Sequence, residues 1–276
     1  MYLHIILDFK MIKYIASGIF LYLFIGSVLY FSQRRLTFNV SGTPNKPEYY
    51  GLSNNIETYI KISKSINLIS WFIKPKKNMP IIVYFHGNSF DIGERAYRIK
   101  RYIDKNWSVL IISWRGYSGN RGKPTEKNLY IDGESALDWI AENTYSEFSD
   151  LVIYGESLGT GVALELGKKY KFASIILEAP FTSIPDIAKK RYKIFPTKFL
   201  VKDKFNNLEK INHIKSPLLI ISGKNDEVVP HIHSQILFEK AKVIKESVFI
   251  DEAMHNNLYD FDIEKNVINF TLKVWK

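Results

Sequence analysis

The pentapeptide Gly155-Glu156-Ser157-Leu158-Gly159 carries the densest chemical information in the chain. It follows an apolar run, Leu151-Val-Ile-Tyr154, and opens a segment of helical character. A serine with glycine two residues away on either side, between a strand and a helix, is the arrangement of a nucleophile elbow. So tight a turn leaves no room for side chains at the flanking positions, and it holds the serine hydroxyl exposed at the C-terminal end of the strand. The helix N-terminus behind it adds partial positive charge and free backbone N–H groups. An ordinary Gly-rich turn is the competing reading. The strand before Ser157, and Gly161 and Ala163 keeping the helix after it slim, favour the elbow.

A serine hydroxyl needs a base to take its proton and a carboxylate to orient that base. Around such an elbow the chain order is serine, acid, histidine. Asp226 lies in Ser222-Gly-Lys-Asn-Asp226-Glu-Val-Val-Pro230, just after the apolar run Leu218-Leu-Ile-Ile221, which puts it at the same sheet edge as Ser157. Glu227 is a weaker substitute, and a turn or N-cap role is the alternative for Asp226. There are six histidines. His4 precedes an apolar N-terminal stretch, His86 follows a strand ahead of the serine, His213 precedes the acid, and His231 and His233 open the helix directly after it. His255 alone has a strand, Val248-Phe-Ile250, between itself and the acid, so it is the expected base rather than a surface-loop histidine. His86 reads as structural.

The tetrahedral intermediate of acyl transfer needs preorganised N–H donors, whose loss typically costs on the order of 10² to 10³ in rate. The backbone N–H of Leu158 is one expected donor. The other should come from His86-Gly87-Asn88-Ser89, with Asn88 preferred and Ser89 in reserve. This chemistry calls for no metal and no organic cofactor.

These residues must be positioned by a sheet. Residues 56–62 and 66–73 read as paired strands around a turn at 63–65. Ile81-Ile-Val-Tyr-Phe85 and Val109-Leu-Ile-Ile112 are continuous apolar runs, as in strands covered on both faces. Helices are expected over 93–105, 126–142 and 157–170, and further strands over 151–154, 174–177, 218–221 and 248–250. Alternating strands and helices predict an α/β fold with one mostly parallel sheet and helices on both faces. Residues 36–55, with Gly42, Pro44, Pro47 and Gly51, read as a connector, and 56–276 as the main domain. The stretch 181–212 is too long for a simple crossover and reads as a cap-like insertion.

Beyond the elbow, Tyr84-Phe-His-Gly-Asn88, Trp114-Arg-Gly-Tyr-Ser-Gly119, Gly122-Lys-Pro-Thr-Glu126, Glu178-Ala-Pro-Phe-Thr-Ser183 and Gly223-Lys-Asn-Asp-Glu-Val-Val-Pro230 run in family order. Through them the chain resembles the α/β-hydrolase superfamily, and more narrowly its membrane-anchored branch of bud-emergence-type and serine-aminopeptidase-like hydrolases. The resemblance spans most of the chain after about residue 70 and implies Ser157, Asp226 and His255 as a triad. One departure is Met254, where many relatives carry glycine before the histidine; it bears on the shape of that loop.

From Tyr14 to Phe31 no residue is charged, Lys10 and Lys13 flank one end, and Arg34 and Arg35 the other. A helix of roughly 18 to 20 residues crosses a hydrocarbon core of about 30 Å, and aromatic residues suit its interfaces. The segment 1–35 therefore reads as a single transmembrane helix over about 14–31, giving a single-pass membrane protein. A cleaved signal peptide fits less well, because the run is long and Val28-Leu29-Tyr30 offers no small-x-small site. A buried core helix is the third option, but the domain after it reads as complete without it. Met11-Ile-Lys is an alternative start that would make the first ten residues dispensable. Two basic residues on each side leave the orientation balanced.

A hydrophobic fraction of 46% supports a sizeable core and excludes disorder, and zero cysteines exclude disulfides and thiolate sites. The formal charge of +10 could draw nucleic acid or anionic lipid, but no nucleic-acid motif accompanies it and AT-rich codon usage accounts for the lysines. Nucleic acid is not an expected partner. The leading expectation is hydrolysis of an ester or thioester through an acyl-enzyme, on a small-molecule, lipid-like or acylated substrate near the membrane. A serine peptidase-like hydrolase, a secreted esterase and a membrane-anchored interaction protein on the same fold are the alternatives; the last should have lost a triad member or an elbow glycine.

Overall fold

The computed structural model describes residues 2–53, 56–74 and 79–275, with side chains from residue 10 onward. It begins with helix α1 (Tyr2–Thr37). An antiparallel pair follows, β1 (Glu57–Lys61) and β2 (Asn67–Ile73), in the register Glu57↔Trp71 to Lys61↔Asn67. Next come β3 (Ile81–Phe85), α2 (Ala96–Ile103), β4 (Ser108–Ile112), α3 (Glu126–Asn143), β5 (Leu151–Glu156), α4 (Gly159–Lys169) and β6 (Ser174–Glu178). Three short helices, α5 (Ile184–Arg191), α6 (Thr197–Leu200) and α7 (Asn207–Lys210), precede β7 (Leu218–Gly223). The chain ends with α8 (Ile232–Lys240), β8 (Lys245–Ile250) and α9 (Ile263–Val274).

The eight strands form one sheet in the order β1-β2-β4-β3-β5-β6-β7-β8. β2 runs antiparallel to β4, and every pairing from β4 to β8 is parallel. This is the α/β-hydrolase arrangement. Successive side chains on a strand point to opposite faces, so β3 supplies two cores. Ile81, Val83 and Phe85 pack with Leu137 of α3 and Val162 of α4, while Ile82 and Tyr84 pack with Ile99 of α2 and Val267 of α9. Burial on both faces explains the unbroken apolar runs of β3 and β4.

Local chemistry sets the helix starts. Thr125 accepts from the Asn128 N–H at 3.1 Å and begins α3 at the expected residue. At α2, Asp91 accepts from the Gly93 N–H at 2.8 Å and opens a short 3₁₀ turn, Ile92–Arg95, so the α-helix starts at Ala96 rather than 93. Helix α9 lay beyond the sequence expectations. Asp262, in the left-handed region with φ 53°, ends the preceding turn, and Ile263, Val267 and Phe270 then face the sheet.

Two parts depart from the picture of a domain complete without its N-terminal segment. Phe38, at the start of the stretch read as a connector, is buried with its ring 6.3 Å from that of Phe205. Fully burying such a side chain contributes about 1.5–3 kcal/mol. The last turns of α1 also dock on the segment between β6 and β7. Arg34 pairs with Asp203 at 2.8 Å, and Tyr22 stacks on Phe195 at 4.8 Å and 13°. Gln33 donates to the Leu200 carbonyl at 3.2 Å and accepts from the Lys202 N–H at 2.7 Å.

Candidate active site

Ser157 sits between β5 and α4 with φ 47°. A non-glycine residue there costs on the order of 1–3 kcal/mol and persists only where its surroundings over-determine it. They do so here. The Ser157 N–H donates to the Glu178 carbonyl on β6 at 2.8 Å, and its own carbonyl accepts from the Thr160 N–H at 3.0 Å and hydroxyl at 2.6 Å. A Cβ on Gly159 would collide with the Phe85 carbonyl, and one on Gly155 with the Gly159 carbonyl and the Thr160 backbone. The flanking glycines are thus a steric requirement of the turn.

Asp226 lies in the loop after β7 and His255 in the loop after β8. Both loops stand at the C-terminal edge of the parallel strands, and backbone hydrogen bonds join them: Lys224 to Ile250 at 2.8 Å and Asn225 to Ala253 at 3.1 Å. Parallel pairing of β7 and β8 puts both strand ends side by side, which is why residues 29 apart meet. His255 Nδ1 lies 2.7 Å from Asp226 Oδ2, and His255 Nε2 lies 3.2 Å from Ser157 Oγ. Asp226 Oδ1 accepts from the N–H groups of Val228 at 2.9 Å and Val229 at 2.7 Å, which leaves Oδ2 for the imidazole. The neighbouring Glu227 is exposed while Asp226 is buried. Met254 is also exposed, and its N–H donates to Asn257 Oδ1 at 2.7 Å, so the loop accommodates a side chain at the position where the resemblance implies glycine.

Leu158 occupies the N-cap of α4, and Asn88 lines the same cavity as Ser157 and Leu158. The Asn88 loop is held from several sides. Its carbonyl accepts from the Tyr117 hydroxyl at 3.1 Å and the Asn39 N–H at 3.2 Å, and its side chain donates to the Thr37 carbonyl at the end of α1 at 3.1 Å. His86 lies buried beneath, with Nδ1 2.7 Å from the Gly87 carbonyl. Burial, and then the nearby Arg95, hold its imidazole down to about 3, so it is neutral. His231 and His233 contact Ser222 and Thr182 instead of Ser157.

Under the elbow lies a polar network that the sequence reading missed. Glu156, inside the pentapeptide, takes Arg95 Nη2 on Oε1 at 2.8 Å and Nε on Oε2 at 3.1 Å, with the Tyr84 hydroxyl on Oε2 at 3.0 Å. Arg98 donates to Glu178 Oε1 at 2.8 Å and to the Asn256 carbonyl, next to His255, at 3.3 Å. Tyr154 closes the network on Glu178 at 2.6 Å. Burial would raise the Glu156 carboxyl, but the two arginines outweigh it and hold it well below the usual carboxylate range. One signal was available: Arg95, Arg98 and Tyr102 recur at helical spacing on the face that also carries Ile99. Charged residues on an apolar face imply buried acidic partners.

The cavity over Ser157 is walled by Phe181, Ile184, Ile187 and Val229 and, from α1, by Leu36 and Thr37. No protein-family model matches the chain. It is 34% identical over 207 residues to human α/β hydrolase domain-containing protein 17B, covering 72% of this chain and 68% of that one. An uncharacterised protein of Mycobacterium tuberculosis is 27% identical over 245 residues, 88% of this chain and 85% of its own length. Among solved structures, an esterase of Pyrococcus furiosus superposes with a TM-score of 0.69 at 19% identity, over 86% of this chain and 98% of its own. A monoacylglycerol lipase of Paleococcus ferrophilus gives 0.58 at 17% identity, over 75% and 98%.

Proposed function

This chain belongs to the α/β-hydrolase domain-containing proteins, and from that premise we propose that it is a serine hydrolase that cleaves an ester or thioester through an acyl-enzyme, with Ser157, His255 and Asp226 as its triad. One observation carries the reading: the continuous contact from Asp226 Oδ2 through both imidazole nitrogens to Ser157 Oγ. In this reading Ser157 Oγ attacks the carbonyl carbon while His255 Nε2 takes its proton. Asp226 accepts from Nδ1–H, fixes the tautomer and stabilises the imidazolium that forms. The backbone N–H groups of Leu158 and Asn88 bind the developing oxyanion. The imidazolium then returns its proton to the leaving alcohol or thiol. Water, deprotonated by the same imidazole, releases the carboxylic acid and restores the serine.

The esterase and lipase neighbours fit acyl transfer, and the apolar walls over Ser157 suit a lipid-like or acylated substrate better than a polar one. The segment Lys10–Thr37 is long and apolar enough to cross a membrane, with a mean hydropathy of 1.9 over its most apolar 18 residues, and in this reading it is a single-pass anchor. The segment between β6 and β7 then serves as the cap over the site. Labelling with a fluorophosphonate tests the reading: wild-type protein should react and Ser157→Ala should not. Equal labelling of both would remove Ser157 as the nucleophile.

A further inference from the structure

The cavity over Ser157 borders another. A second, apolar slot runs alongside α1 and shares with it the wall formed by Leu36, Thr37, Ile184, Ala188 and Tyr192. Beyond that shared wall the slot continues between Gly26, Leu29 and Tyr30 of α1 and Phe195, Leu200 and Val201 of the cap. We propose that this slot is an acyl-chain subsite, with the C-terminal half of α1 as one wall, and that it takes the chain of a membrane-borne ester or thioester directly from the bilayer leaflet.

Three observations converge on this. Among the described side chains of α1 the partly covered ones are Gly26, Leu29, Ser32, Gln33 and Thr37, a stripe at helical spacing, whereas the opposite side over 14–31 is exposed and apolar, as lipid requires. The helix thus presents one face to the cap and the other to acyl chains. With α1 as the single-pass anchor, the slot also lies at membrane depth. Tyr22, which donates to the Ile194 carbonyl at 3.1 Å, falls within the apolar stretch 14–31. At 1.5 Å rise per residue, the docked stretch from Tyr22 to Phe31 spans roughly 13 Å along the helix axis, close to one leaflet of a core about 30 Å thick. The outer side of the cap has the composition of an interfacial surface. At the level of Gln33, which donates to the Leu200 carbonyl, Phe199 is 86% exposed with the exposed Lys198 beside it. An apolar slot that opens at that level and shares a wall with the cavity over Ser157 would let a chain enter with its apolar part still out of water.

Gly26 is the narrow point. A Cβ there would already come within 3.1 Å of the Phe195 ring, so a larger side chain must close the slot or displace that ring. The inference rests on the serine hydrolase reading, and the test separates the two. Full-length wild type, Ser157→Ala, Gly26→Phe and Tyr192→Ala are assayed in nanodiscs on p-nitrophenyl esters from C4 to C16. Gly26→Phe should lower the C12-to-C4 ratio of kcat/KM at least tenfold, and Tyr192→Ala, which widens the shared wall, should shift the preferred length upward. Should Gly26→Phe fail to fold, the Tyr192→Ala shift decides. Wild-type ratios in the folded variants, with hydrolysis still dependent on Ser157, overturn the subsite alone. Hydrolysis that survives Ser157→Ala at every length overturns the catalytic reading and this inference with it.

Discussion

Arg95 grips Glu156, the residue immediately before Ser157, through two hydrogen bonds of 2.8 and 3.1 Å, with both side chains nearly sealed from solvent. The pair joins the 3₁₀ turn that leads into α2 to the base of the elbow. Removing one partner leaves a buried charge uncompensated, which costs about 3–5 kcal/mol. Glu156→Gln should therefore lower unfolding stability by that order in urea titrations. The exposed Lys100–Asp104 pair on the same helix provides the contrast: Lys100→Ala should change stability by about 0.5 kcal/mol or less. Equal effects from the two substitutions would contradict the buried network.

Triad members act as a unit, so their removal is not additive. His255→Ala should cut kcat nearly as far as Ser157→Ala, up to the order of 10⁶, and the double variant should lose little more. Asp226→Asn should keep the geometry and lose about 10⁴, because the amide favours the wrong imidazole tautomer. Rates for His255→Ala within tenfold of wild type would send the base elsewhere.

His86 links acidity to stability. Its folded value of about 3 lies below the ordinary 6.5, so between those limits the unfolded chain binds a proton that the folded chain refuses. Stability from this group is therefore complete above about pH 6.5 and falls on acidification, by up to about 1.4 kcal/mol per pH unit, until pH approaches 3. His86→Gln should flatten the slope of unfolding free energy against pH between 6 and 4. Identical slopes in the two proteins would show that His86 titrates as in the open chain.

The elbow glycines offer a steric test. Gly159→Ala drives a methyl group into the Phe85 carbonyl, and overpacking of this kind typically costs about 1–3 kcal/mol. The variant should be destabilised and label more slowly with fluorophosphonate. Ala163 on the same helix is buried among apolar side chains, and Ala163→Gly should destabilise without slowing the labelling of folded protein.

A chain without cysteine allows the membrane reading to be tested by site-directed spin labelling. A nitroxide on Phe199→Cys in nanodiscs should collide with oxygen more than with a water-soluble nickel complex. One on Tyr145→Cys, on a fully exposed residue after α3, should do the reverse. Aqueous behaviour at both positions would detach the cap from the bilayer.

Local rules of the chain were enough to write down the layered α/β fold, the elbow and its flanking glycines. Strand burial, helix capping and a tight turn are encoded within a few neighbouring residues. Chain order and strand ends also picked out Ser157, Asp226 and His255 as the residues to bring together, because parallel strands deliver their C-terminal loops to one edge. Tertiary structure alone decided what stands around them. The pairing of Arg95 and Arg98 with Glu156 and Glu178 bridges 61 and 80 residues, and no local periodicity names a partner at that distance. The docking of Tyr22, Gln33 and Arg34 on residues 194–203 is longer-ranged still. An apolar helix of this length looks the same in sequence whether lipid surrounds it or a cap covers one side. Only packing across more than 160 residues of chain turned the end of that helix into a wall of the cavity above Ser157.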